Sequence, residues 1–277
     1  MSIAEFPVDV VDVEYQQTPA LLPRVYRPKG SGPFPCIVDV HGGGWGAGDR
    51  LNNAPLNSAL AGAGIIVAAI DFRLSSAAKY PASVSDVNLA VRWLKSRAHD
   101  FGGRPDLVGG LGTSSGGHQL LLNALQPDDR QYSSLGRQHY PNVDARLRFA
   151  VACWPVADPW ARYQMALRLQ KVSLINSHHA YWNSDEEMKS GNPQLILERG
   201  KQTDLPPLLI MHGTADDNLT PDMAERFAAQ YRSAGGSAEL AMFDGEPHAF
   251  ITRDPNSNAS IRAIAMIAEF IKAHSCY

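Results

Sequence analysis

The sequence predicts an α/β fold: a mostly parallel central sheet with helices on both faces and an inserted cap, in a single domain over residues 1–277. Three observations predict it. Short, nearly continuous apolar runs, Cys36 to Val40 (CIVDV) and Ile65 to Ile70 (IIVAAI), suit strands buried on both faces. They alternate with stretches of helical spacing such as Ser83 to Ala98, where Val87, Val91 and Leu94 share a face. Strand and helix in that order imply parallel strands joined by right-handed crossovers. The alternation stops at about residues 154–205 and then resumes, which marks that segment as a cap over the sheet.

Taken in order, Val8 to Tyr15 alternates apolar and acidic residues and Leu21 to Arg27 is a second extended run, so the two predict an antiparallel pair at a sheet edge. The turn-rich link Pro28 to Pro35 leads into CIVDV, which ends directly in His41-Gly42-Gly43-Gly44-Trp45. A helix near Ala54 to Ala63 precedes IIVAAI, and the Ser83 to Ala98 helix precedes a strand at Leu107 to Leu111. Gly109 and Gly110 inside that strand point to close approach of a backbone or a bulky side chain. A helix over His118 to Leu125 follows, then a polar, turn-rich stretch from Gln126 to Asn142 and a strand within Leu147 to Cys153. In the cap, Ala161 to Val172 has helical spacing. Beyond it come a strand at Pro207 to Met211, a helix at Pro221 to Ser233, a strand at Ala238 to Phe243 and a last helix over Asn256 to Ala273.

With 44% hydrophobic and 19% charged residues in 277, the chain can bury a large core. A net charge of -3 gives no reason to expect nucleic acid or an anionic membrane as partner. Cys36, Cys153 and Cys276 are far apart and make no C-x-x-C pair, which fits a reducing compartment. Met1 to Val10 has two acids and no basic region before an apolar core, so it does not read as a secretory signal. Nor does any stretch approach the roughly 20 apolar residues of a spanning helix. The expectation is a soluble cytoplasmic protein with a small-molecule substrate, whose last strand offers an open edge for pairing in a homodimer.

The chemistry centres on Gly112-Thr113-Ser114-Ser115-Gly116-Gly117, between the Leu107 strand and the His118 helix. G-x-S-x-G in that context reads as a nucleophile elbow, with Ser114 exposed at the tip of a tight turn. Ser115 fits less well, because Thr113 stands two places before it. A serine hydroxyl needs a base within reach and a group to orient that base. In the order serine, acid, histidine, Asp216 is the candidate acid, in the loop after Leu209-Ile210-Met211-His212. Asp217 is its nearest rival and Asp158 a weaker one; a solvated turn before a helix start near Thr220-Pro221 suits Asp216 and Asp217 as well. His248, in Glu246 to Phe250 after the last strand, is the candidate base. Acyl transfer also needs donors for the oxyanion. The HGGG run supplies the N–H groups of Gly43 and Gly44, joined by that of Ser115, with Gly42 as a substitute.

His41 is expected to brace its own loop, and His118 to pack on or bond neighbouring loops. His178-His179 lacks partners at ligand spacing, so no metal is expected. Asp49, Asp71 and Arg73 suit either a buried ionic support or a solvated role. No G-x-G-x-x-G follows the first buried strand, so no dinucleotide is expected. Trp45, Trp154, Trp160, Tyr163, Tyr181 and Trp182 suit two roles equally, the lining of an acyl or aryl pocket and the filling between cap and sheet.

These residues resemble those of the α/β-hydrolase superfamily, and within it the HGGG and G-x-S-x-G esterases that include hormone-sensitive-lipase-like enzymes. His41 to Trp45 with Gly48-Asp49, and Ser114 to His118, look closer still to the feruloyl and acetyl-xylan esterase-like group. Thr113 stands where the hormone-sensitive-lipase-like branch commonly has an acid. The resemblance covers nearly the whole chain from Pro35. It implies the α/β-hydrolase fold and cofactor-free hydrolysis of esters of small to medium acids, aromatic ones included, by Ser114, His248 and Asp216 through an acyl-enzyme. An amidase or arylformamidase with the same triad is the alternative enzyme. A non-catalytic ligand-binding protein of this fold is the alternative class.

Overall fold

The computed structural model describes residues 5–201 and 203–275. Its strands are β1 (Val8–Asp12), β2 (Gln16–Gln17), β3 (Ala20–Leu21), β4 (Pro23–Pro28), β5 (Phe34–Val40), β6 (Ile66–Ile70), β7 (Gly103–Thr113), β8 (Ala150–Cys153), β9 (Leu208–Gly213) and β10 (Ala238–Phe243). β2 and β3 form a small ladder of their own. The other eight make one sheet in the order β1-β4-β6-β5-β7-β8-β9-β10. The two pairings that involve β4 are antiparallel and the five from β6 to β10 are parallel. The mostly parallel α/β sheet is the architecture the sequence predicts, with the Val8 and Leu21 runs paired at one edge.

The helices are α1 (Ala54–Gly62), α2 (Ala82–Arg97), α3 (Ser115–Leu125), α4 (Arg130–His139), α5 (Pro159–Arg168), α6 (Val172–Tyr181), α7 (Asp185–Ser190), α8 (Pro193–Glu198), α9 (Pro221–Ser233), α10 (Phe250–Arg253) and α11 (Asn258–Ala273). Side chains alternate across a strand, so each central strand feeds two cores. Cys36, Val38 and Val40 join the core under α2 and α3, whereas Ile37 joins the one under α1 and α11; β6, β8 and β9 divide the same way. Each buried Val, Ile or Leu contributes on the order of 2 kcal/mol. That is why these strands read as continuous apolar runs.

Gly109 and Gly110 have the reason the sequence suggests. A Cβ on Gly109 would overlap the Phe149 ring, and one on Gly110 the Leu120 side chain. Two expectations are corrected. The stretch Gln126 to Asn142 holds a helix, α4: Asp129 caps it by accepting from the Gln131 N–H at 2.9 Å, and its Tyr132 and Gly136 are buried. Its buried face is short and mixed, with Tyr132, Ser133, Leu135 and Gly136, which is why the stretch reads as polar in sequence. The stretch Ala161 to Val172 is not one helix, because Gln170 takes a left-handed conformation (φ 52°) and separates α5 from α6.

Helices α5 to α8 fill the interval between β8 and β9 where the sequence pattern breaks. Cys36 and Cys153 are buried free thiols, and Cys276 lies outside the described residues. Among the described residues no helix is long and apolar enough to cross a membrane.

Candidate active site

Strand β7 ends at Thr113 and helix α3 begins at Ser115, so Ser114 is the single residue of the turn, with φ 53° and ψ -117°. Such a backbone costs on the order of 1–3 kcal/mol and persists only where its surroundings enforce it. Here the Ser114 N–H donates to the Cys153 carbonyl at 3.0 Å, and its carbonyl accepts from Val156 and His118. The flanking glycines permit close approach rather than positive φ. A Cβ on Gly112 would meet the Gly116 carbonyl oxygen at 2.7 Å, and one on Gly116 would overlap the Val40 and His41 carbonyls.

Two loops at the ends of β9 and β10 bring Asp216 and His248 to this serine. The Ser114 hydroxyl lies 3.0 Å from His248 Nε2, and His248 Nδ1 lies 2.7 Å from Asp216 Oδ2. With Nδ1–H donated to the carboxylate, Nε2 is left as an acceptor. Asp216 Oδ1 accepts from the amides of Asn218 and Leu219, at 2.8 and 2.9 Å. Burial pushes the Asp216 carboxyl up, but the His248 hydrogen bond and charge, the Leu219 amide and His212 outweigh it and hold it below the usual range. The two rivals lie elsewhere. Asp217 is exposed beside Lys171, and Asp158 caps α5 by accepting from Ala161 while also accepting from Asn192.

The loop Gly42–Gly44 lines the same cavity as Ser114, and a Cβ on Gly42 would stand 3.2 Å from the Ser114 Cβ. Among the described residues the N–H groups of Gly43, Gly44 and Ser115 have no protein acceptor. Positive φ at Gly43 (118°) and Gly44 (60°) explains two of the three glycines. The loop is braced from behind. Trp45 N–H donates to the Ser115 hydroxyl at 3.1 Å; its indole N–H donates to His118 Nδ1 at 3.1 Å, and His118 Nε2–H donates to the Gly191 carbonyl. Burial pushes His118 down to about 4, so it stays a neutral relay between loop and cap. His41 Nδ1–H donates to the Gly42 carbonyl and its ring stacks on Phe72.

The cavity has a volume of about 340 Å³ and is walled by the Gly42–Gly44 loop, Ser114 and His248 on the sheet side and by Arg162 of α5 and Ser177 of α6 on the cap side. Of the aromatic residues named for a pocket, only Trp154 lines it. Trp45 stacks on Tyr181 with centroids 4.8 Å apart, and Trp182 packs edge-on against both. All three are buried and belong to the joint between loop and cap. Trp160 is half-buried beneath Lys189 and beside Tyr163, which bonds His179. Asp71 pairs with Arg50 and Arg73 with the buried Asp86; the exposed Asp49 accepts from the Leu51 amide. Among the described residues no group of three or more His, Cys, Asp or Glu is placed to hold a metal.

Sequence reasoning missed two polar groups at this site. Arg162 is buried and faces the cavity, bound to Asn218 and His178. Its signal was an arginine on the apolar stripe of α5, one turn from Pro159 and Ala166. Asp39, inside CIVDV, is fully buried and accepts from Asn53 at 3.0 Å and from Asn57 at 2.7 Å; Asn53 lies 3.3 Å from the Thr113 hydroxyl and lines the cavity. The signal there was one carboxylate within an otherwise apolar strand.

Comparison with known proteins agrees with this architecture. A match to the BD-FAE family covers residues 24–231. The probable carboxylic ester hydrolase LipM of Mycobacterium tuberculosis is 30% identical over 207 residues, 73% of this chain and 46% of that one. The esterase LipC of the same organism is 28% identical over 264 residues, 92% of this chain and 63% of that one. The chain thus spans roughly half to two thirds of the length of these relatives. A solved structure of the propionate-bound esterase Est2 of Thermogutta terrifontis matches with a TM-score of 0.76 at 24% identity, over 99% of this chain and 96% of that one. It shares the α/β-hydrolase fold.

Proposed function

We propose, because the chain belongs to the BD-FAE family, that it is a cofactor-free serine esterase acting on carboxylic esters of small to medium acids. One observation carries the reading: Ser114, His248 and the buried Asp216 form an unbroken hydrogen-bonded run whose serine and histidine line a cavity that also presents the Gly42–Gly44 loop. The names of LipM and LipC support the same reaction class.

In this mechanism the Ser114 oxygen attacks the ester carbonyl while His248 Nε2 takes its proton. Asp216, held ionised, keeps His248 oriented and stabilises the imidazolium. The N–H groups of Gly43, Gly44 and Ser115 receive the charge that develops on the carbonyl oxygen. His248 then returns the proton to the leaving alcohol, and water releases the acyl group by the same steps in reverse order. A cavity of about 340 Å³ favours short and medium acyl groups over long chains. A cytoplasmic location and a homodimer through the outer edge of β10 complete the reading; a monomer by light scattering at micromolar concentration removes the dimer.

The test is hydrolysis of p-nitrophenyl esters from acetate upward, with a formanilide as the amide comparison, by wild type and Ser114→Ala. Ester turnover lost in the variant supports the esterase. Preferred cleavage of the formanilide replaces it with an amidase, and no turnover of any probe by folded protein replaces it with a binding role.

A further inference from the structure

Arg162 is an unusual wall for an ester cavity. Its side chain is buried, and among the described residues it forms no ion pair. Its immediate partners are neutral. Nε and Nη2 donate to the Asn218 side-chain oxygen at 3.0 and 2.6 Å, Nη1 donates to His178 Nε2 at 3.1 Å, and the Trp45 ring lies 5.7 Å from the guanidinium carbon. Burial and the Arg162 charge push His178 down to about 2, so it accepts as a neutral ring. Asp216 acts on Arg162 only at longer range, its own oxygens being taken by His248, Asn218 and Leu219. Burial lowers Arg162 to about 10, which leaves it charged at neutral pH.

A guanidinium has five N–H donors, and the three bonds above leave one free on each Nη. A buried cation without an anion is costly, by several kcal/mol before compensation. An ester bearing a carboxylate would supply what is missing: one negative charge against one positive, with a planar oxygen pair that fits the fork. A phosphate dianion would leave a charge uncompensated.

We propose that Arg162 is a substrate-recognition residue that selects esters whose acyl part carries a free carboxylate, bound in the cavity with that carboxylate on the guanidinium and the ester carbonyl at Ser114. This deepens the esterase reading and rests on it. Arg162 also holds Asn218, whose N–H supports Asp216, so the test must separate recognition from positioning.

The experiment measures kcat/KM by pH-stat for monomethyl glutarate and for its uncharged isostere, methyl 5-methylhexanoate, in wild type, Arg162→Lys and Arg162→Gln. Wild type is expected to prefer the charged ester roughly 10- to 100-fold, the range for hydrogen bonds to a charged group. The ratio should collapse to one or below in Arg162→Gln and be intermediate in Arg162→Lys, which keeps the charge and loses the fork. A ratio of one in wild type overturns the proposal. So does a loss in Arg162→Gln that strikes both esters equally, which marks a positioning role alone. Thermal shift with glutarate gives an independent reading should no ester be hydrolysed: stabilisation of wild type that disappears in Arg162→Gln upholds a carboxylate site, and none in wild type overturns it.

Discussion

Replacing Asp216 with asparagine tests the relay at its least replaceable point. Asp216 Oδ2 accepts from His248 Nδ1 while Oδ1 accepts from two backbone amides. An asparagine will keep its carbonyl toward the two amide donors, because the reverse orientation opposes NH2 to N–H. Its NH2 then faces His248 and donates to Nδ1, so the imidazole proton moves to Nε2. A protonated Nε2 cannot accept the Ser114 proton. Loss of the carboxylate also removes about 4 kcal/mol of attraction to the imidazolium, taking charge centres about 4 Å apart and an effective dielectric near 20. At about 1.36 kcal/mol per tenfold that alone is close to 10³ in rate. The wrong tautomer raises the total to roughly 10⁴, the loss the same change causes in a serine-protease triad. The assay is kcat for p-nitrophenyl butyrate beside a melting curve. A loss smaller than about tenfold in well-folded Asp216→Asn protein refutes the relay.

Two further outcomes follow from packing and burial. Gly109→Ala should cost about 1–3 kcal/mol by overpacking against Phe149, and Phe149→Leu in the same chain should recover part of that; strict additivity in urea unfolding would show that the two do not touch. Burial raises Asp39 from 3.8 to about 6 despite its hydrogen bonds from Asn57 and Asn53. The folded state therefore holds its proton more tightly than the unfolded state, so this contribution to stability is complete below pH 3.8 and is lost as pH rises through about 6. The interval between 3.8 and about 6, at about 1.4 kcal/mol for each tenfold change in proton activity, comes to on the order of 3 kcal/mol. Asp39→Asn should flatten the fall in unfolding free energy between pH 4 and pH 7; an unchanged slope in denaturant titrations would place the titration elsewhere.

The strands were legible because burial on both faces leaves continuous apolar runs in a chain, and CIVDV and IIVAAI carry that mark without reference to any partner. Helix α4 was not, since the face it packs on α2 is short and mixes Tyr132 and Leu135 with Ser133 and Gly136, and its start is set by the Asp129 cap. The direction of the aromatics was also hidden. A tryptophan after HGGG looks the same whether it faces a ligand or a tyrosine, and only the stacking of Trp45 on Tyr181 places it in the joint.

The sequence by itself determined the parallel α/β sheet and the turn that isolates Ser114. It also set the chain order in which Asp216 and His248 follow, because each is written in residues that are neighbours along the chain. Only the tertiary structure decided that Arg162 of α5 and Asn218 of the Asp216 loop wall the cavity that holds Ser114, with His178 of α6 bonded to Arg162. These groups come from elements far apart in sequence, and which side chain a cavity receives is fixed by how the cap packs on the sheet.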